Sequence, residues 1–122
     1  MKTFGTTPVE LVPAPGSGYF ISPITAFAVY LYGGNNAFTG GSAVNLCWGN
    51  KTVTAGQLFA NSTMIGTANR YNLPTVGQTA SSASSPENLA LNIVASGADF
   101  AGNAANDNTM TVKVFYQIFP IG

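Results

Sequence analysis

The chain has no histidine, a single cysteine, and only four basic and four acidic side chains among its 122 residues. Each shortage excludes something. Without imidazole there is no side chain whose ordinary pKa lies near neutrality to serve as a general base. One cysteine rules out a disulfide framework and any cysteine-built zinc site. Four cations in a chain of zero net charge cannot make the surface that neutralises phosphates in nucleic-acid binding. Charged residues are 7% of the chain, against about 25% in an ordinary domain. Long hydrophobic runs are missing too. The longest apolar stretch, Ile24 to Tyr32, is far short of the ~20 residues of a membrane helix. After Met1 and Lys2, the run Thr3-Phe4-Gly5-Thr6-Thr7-Pro8 interrupts any apolar signal core. The expectation is a soluble, non-enzymatic protein made without a leader, binding neither membrane nor nucleic acid and carrying no cofactor.

What is present is apolar and β-forming. Apolar residues make up 46% of the chain, enough for one domain over residues 1–122 to bury a core. The usual surface helix formers Glu, Lys, Arg and Gln are scarce, while Gly, Pro, Asn, Ser and Thr fill the gaps between apolar stretches. Period-two alternation is clearest from Met110 to Phe119, where Met110, Val112, Val114, Tyr116 and Ile118 share one face. Asn88–Val94, Ile24–Tyr32 and Ala43–Trp48 read as further strands. Shorter candidates are Val9–Val12, Tyr19–Ser22, Thr52–Thr54, Gln57–Ala60 and Met64–Ile65. About eight short antiparallel strands separated by turn residues predict an all-β sandwich or barrel. Residues 1–18 read as an N-terminal arm or first strand, 74–87 as a long exposed loop, Gly102–Asn108 as a turn, and the glycine-flanked Ala37-Phe38-Thr39 as a flexible connection.

Two strands are too apolar for a sheet with one wet face. In Ile24–Tyr32 one face carries Phe27, Val29 and Leu31, and the other Ala26, Ala28, Tyr30 and Tyr32. In Met110–Phe119 the face opposite the aliphatics still carries Phe115 and Phe119. Small or aromatic residues on the expected wet face predict that another copy of the chain covers it. Tyr30, Tyr32, Phe115 and Phe119 are the expected interface residues.

The C-terminal third adds a resemblance. Glu87-Asn88-Leu89-Ala90-Leu91-Asn92-Ile93-Val94, the corner Gly97-Ala98-Asp99-Phe100, and the closing strand Thr109-Met110-Thr111-Val112-Lys113-Val114-Phe115-Tyr116 resemble the ending of small jelly-roll proteins of tailed-phage virions. That resemblance implies an all-β, antiparallel jelly-roll-like β-sandwich that trimerises, similar to the tumour-necrosis-factor/C1q-like fold. It further implies a capsid decoration (cement) protein on the virion exterior, made in the host cytoplasm and bound to the major capsid protein or another virion protein. The proline-rich N-terminal segment, with Pro8, Pro13 and Pro15, is the expected capsid contact. The alternative is a tail-fibre or head-fibre knob that binds a glycan through Trp48, Tyr71 or Tyr19 with neighbouring Asn residues. Trp48, in phase with Val44 and Leu46, is expected in the core.

Other chemistry is set aside. Ser81–Ser85 has no histidine to activate a hydroxyl, and Cys47 alternates with core residues. Gly16-Ser17-Gly18 lacks the Lys-Ser/Thr of a phosphate loop. The run Asn103–Asn108 has one charge and no EF-hand order, so turn chemistry explains it better than calcium. Glu10 and Glu87 would form a glycosidase pair only if the fold set them about 5–9.5 Å apart. The sequons at Asn50 and Asn61 read as loop chemistry in a chain without a leader.

Overall fold

The structure, a computed structural model, describes residues 5–72, 84–104 and 107–122. Most of the loop expected at 74–87 lies outside these residues, as do Ala105 and Asn106. The described chain is an all-β sandwich of antiparallel strands. In order these are β1 (Val9–Val12), β2 (Tyr19–Leu31), β3 (Phe38–Gly40), β4 (Val44–Trp48), β5 (Val53–Phe59), β6 (Arg70–Asn72), β7 (Leu91–Ala95), β8 (Phe100–Gly102) and β9 (Thr109–Pro120). One sheet has the order β1-β7-β4-β5, a second β6-β2-β9, and β3 pairs with β8 alone.

The core is built from one face of each sheet. Val44, Leu46 and Trp48 of β4 and Leu91 and Ile93 of β7 meet Ile21, Ala26, Ala28 and Tyr30 of β2. Alanines at 26 and 28 leave room for the opposing sheet to approach. Tyr30 then fills the space beyond them. Its ring lies 6.4 Å from Phe38, and Phe38 meets Phe100 edge-on at 6.3 Å. These aromatic contacts explain why three-residue strands at Phe38–Gly40 and Phe100–Gly102 hold together despite their glycines. Gly41 is required where it stands. Its φ is +75°, and a Cβ there would come within 2.3 Å of the Phe100 ring.

Trp48 stitches the two large sheets together, its indole N–H donating to the Ile21 carbonyl at 2.8 Å. Replacing Trp48 with Phe leaves that buried carbonyl short of a donor, at a cost of about 1–3 kcal/mol. Thermal denaturation of Trp48→Phe is therefore expected to show a Tm lower by roughly 4–12 °C. An unchanged Tm would mean that water replaces the bond.

β2 runs continuously through Pro23, where the sequence suggested two separate strands. A bulge between Pro23 and Thr25 takes up the irregularity, and opposite Pro23 the only ladder partner is Tyr116. Among the described residues β6 pairs with β2 only at Ala28–Tyr30, so near Pro23 no second strand calls on the N–H that proline lacks. Thr52–Thr54 and Gln57–Ala60 likewise merge into β5, with Gly56 opposite Leu46. Met64–Ile65 is not a strand: it follows a 3₁₀ turn over Asn61–Thr63, and Met64 is buried in the core.

Residues 5–18 lie on the protomer. Thr6 donates its N–H and hydroxyl to the Asp99 carboxylate, and Lys51 Nζ donates to the Gly5 carbonyl at 2.8 Å. Val9–Val12 forms β1 on β7. Beyond it, Gly16 N–H donates to Asn88 Oδ1 and Gly18 N–H to Glu87 Oε1. Pro13 is exposed, whereas Pro8 and Pro15 are half-buried.

Candidate functional site

β2 and β9 form a twelve-pair antiparallel ladder from Tyr19–Pro120 to Leu31–Thr109. Strand alternation assigns its faces. The inner face carries Ile21, Ala26, Ala28 and Tyr30 against Ile118, Val114, Val112 and Met110. Phe20, Phe27, Val29 and Leu31 of β2, with Phe115 and Phe119 of β9, are on the outer face. Phe20 stacks on Phe119 with centroids 6.0 Å apart, and Phe27 tilts against Phe115 at 6.5 Å. Among the described residues no sheet lies over these rings: Phe115 is 56% exposed and Phe119 41%. Lys113 is the only charged side chain in either strand.

The expected interface residues therefore divide. Phe115 and Phe119 are on the open face. Tyr30 is a correction: it is fully buried inside the protomer, with its hydroxyl donating to the Gly66 carbonyl at 3.3 Å. Tyr32 is half-buried and packs against the same core. The two faces of Ile24–Tyr32 are separated as the sequence indicates but oriented in reverse. The alanine face is the inner one, because small side chains suit the close approach of two sheets. Phe20 also belongs to the open face, because Tyr19–Ser22 and Ile24–Tyr32 are one continuous strand. Ile24 occupies the bulge and is exposed.

The apolar surface continues around the end of the ladder. Tyr19, Tyr116, Ile118 and Ile121 are also exposed, beyond the reach of the opposing sheet. With Ile24, Phe115 and Phe119 they leave on the order of 700 Å² open over the two faces of the ladder end, taking each whole side chain, isoleucines included, at about 200 Å². The largest apolar patch of a typical monomer is about 300–600 Å², and a stable interface takes about 800 Å² from each partner.

The remaining candidates have structural duties. Asn108 accepts from the Gly33 N–H at 2.8 Å and donates to the Asn36 carbonyl at 2.6 Å, while Asn35 donates to Asp107 at 2.6 Å. These groups latch the β2–β3 and β8–β9 connections together. Among the described residues no three His, Cys, Asp or Glu side chains cluster as a metal site. Glu10 is on β1 opposite Asn92, and Glu87 caps the Gly18 N–H. Of the glycan candidates, Trp48 is in the core. Tyr19 belongs to the open ladder end, and Tyr71, 69% exposed, helps line an open depression of about 430 Å³ with Ser62, Thr63 and Arg70.

Cys47 is buried, and its thiol donates to the Gly49 carbonyl at 3.3 Å. Burial pushes its pKa above the ordinary thiol value, outweighing a backbone hydrogen bond and the charge of Lys51, both of which lower it. Burial also raises the Tyr30 phenol, with smaller contributions from Tyr32 and Asp107. A group with a raised pKa in the folded state contributes stability below its unfolded pKa and loses it as pH climbs. Stability is thus expected to decline above about pH 9, where the unfolded thiol ionises. In urea melts across pH 7–11, Cys47→Ala should remove the onset near pH 9 and keep the later loss from Tyr30. An unchanged onset would sink the assignment.

Comparison with protein families, curated proteins and solved structures finds no match to this chain.

Proposed function

We propose that this chain is a non-enzymatic structural subunit of a tailed-phage virion, a homotrimeric decoration protein that sits on the capsid exterior and reinforces it. The observation that carries the reading is the outer face of β2 and β9, uncovered among the described residues, where Phe115 and Phe119 face away from the core cluster. Apolar surface on this scale is stable in water when like subunits shield it. The resemblance of the C-terminal third to small virion proteins supplies the setting. In that setting the segment bearing Pro8, Pro13 and Pro15 meets the major capsid protein or another virion protein.

Two measurements test this reading. Sedimentation at micromolar concentration is expected to give the mass of three chains. Contacts without ion pairs are little screened, so the mass should hardly change with salt. Purified protein mixed with undecorated capsids should pellet with them. A monomer by sedimentation, or protein left in the supernatant at saturating capsid, rejects the proposal.

A second reading, a glycan-binding fibre knob, is favoured by the depression beside Tyr71. Its exposed ring, the Arg70 guanidinium and the hydroxyls of Ser62 and Thr63 offer stacking and hydrogen bonds to a sugar. A glycan array with no binder removes this reading.

A further inference from the structure

The half of β9 from Phe115 onward differs from the rest of the sandwich. Among the described residues β9 pairs with β2 alone, so its other edge presents unpaired backbone groups. Its outer face is bare at Phe115 and Phe119, and its inner face is bare at Tyr116 and Ile118. Ile121, whose N–H donates to the Gly18 carbonyl, extends the apolar surface past the strand end. Among the described residues the segment is thus unpaired along one edge and about half-exposed on both faces. The first half of the same strand is not, because Met110, Val112 and Val114 pack on the core.

A flat contact between two identical faces, as in a two-fold dimer, covers only one face of the strand. Covering both faces of one strand calls for two different surfaces. The same sheet offers a second apolar patch at its opposite margin, where Tyr71 of β6 stands across from Val29 of β2 and Leu31 is exposed on the same face. Neither β2 nor β6 places an acidic group there, and the single cation at that margin is Arg70.

We infer that the C-terminal half of β9 is a clasp, which docks on the Val29–Leu31–Tyr71 margin of the next copy of this chain. This inference rests on the self-association reading above and specifies its geometry. Donor and acceptor surfaces lie on opposite margins of one sheet, so each subunit gives one clasp and receives one. A closed ring uses every clasp and leaves no bare margin. The occupant is a second copy, not a foreign partner, because the clasp is continuous with the outer face and together they approach the area a stable interface needs.

Engineered crosslinking tests the arrangement on the full chain. The double variant Ile118→Cys/Tyr71→Cys, oxidised with copper–phenanthroline, should give a ladder of covalent products ending at three chains. Either single variant should run as one chain on a denaturing gel, as should the unmodified protein, whose Cys47 is buried. Ile118→Asp, with circular dichroism showing an intact sandwich, should abolish the trimer. Covalent pairs from Ile118→Cys alone would mean a two-fold contact and overturn the clasp. A trimer by mass that gives no ladder overturns it as well, while leaving the trimeric reading in place. A protein that is monomeric throughout removes both.

Discussion

Phe115→Asp combined with Phe119→Asp is expected to turn the assembly into monomers at micromolar concentration without unfolding the protomer. At 56% and 41% exposed, the two rings together offer an oligomer about one whole aromatic side chain of unburied surface. At 150–250 Å² and about 25 cal/mol per Å², its burial contributes about 4–6 kcal/mol per subunit, or roughly three to four orders of magnitude in the association constant. Two carboxylates in the same place add the cost of burying charge. Neither ring belongs to the core cluster, so the protomer Tm is expected to move little, as for other surface substitutions. Sedimentation equilibrium and thermal melts on the same samples separate the two effects. A double variant that keeps the mass of three chains shows that the face is not the interface.

Tyr30→Ala has the opposite signature. The side chain is fully buried, meets Phe38, and stands where the two large sheets and the β3–β8 pair converge. Truncation leaves a cavity lined by side chains that cannot collapse into it, at about 3–5 kcal/mol by comparison with other aromatic truncations in cores. Against a total stability of about 5–15 kcal/mol this is a large share. Tyr30→Phe gives up only the hydrogen bond to the Gly66 carbonyl and should cost about 1 kcal/mol. Urea midpoints in the order wild type, Phe, Ala are expected, with the folded fraction of each keeping the wild-type mass. Full stability in Tyr30→Ala together with loss of assembly would return Tyr30 to an interface.

Alternation made most of the sandwich readable. β1, β4 and the inner face of β9 follow directly from the spacing of Val, Leu, Ile and Trp. The sequence was less clear about which face of β2 turns inward. Period two separates Ala26, Ala28 and Tyr30 from Phe27, Val29 and Leu31, yet both sets are apolar, and hydrophobicity alone cannot rank them. Volume decides, because the opposing sheet comes close only over alanines. β3, β6 and β8 are three residues each and are held by tertiary contacts such as Phe38 on Phe100, so no local pattern marks them. Pro23 concealed the continuity of β2, since nothing local announces a bulge. The position of Phe115 and Phe119 is legible in the same alternation, which sets both rings opposite the aliphatic face of β9.

Tyr19 opposite Pro120 pairs residues far apart in the sequence. This ladder cannot begin to form until β9 has been synthesised. Until then Phe20, Phe27 and their neighbours wait without the strand they will stack on, exposed to whatever else is in the cell. Contacts so distant along the chain also make for slow folding. Yield from an expression host is therefore expected to depend on growth temperature and chaperone supply more strongly than the modest size of the chain would suggest.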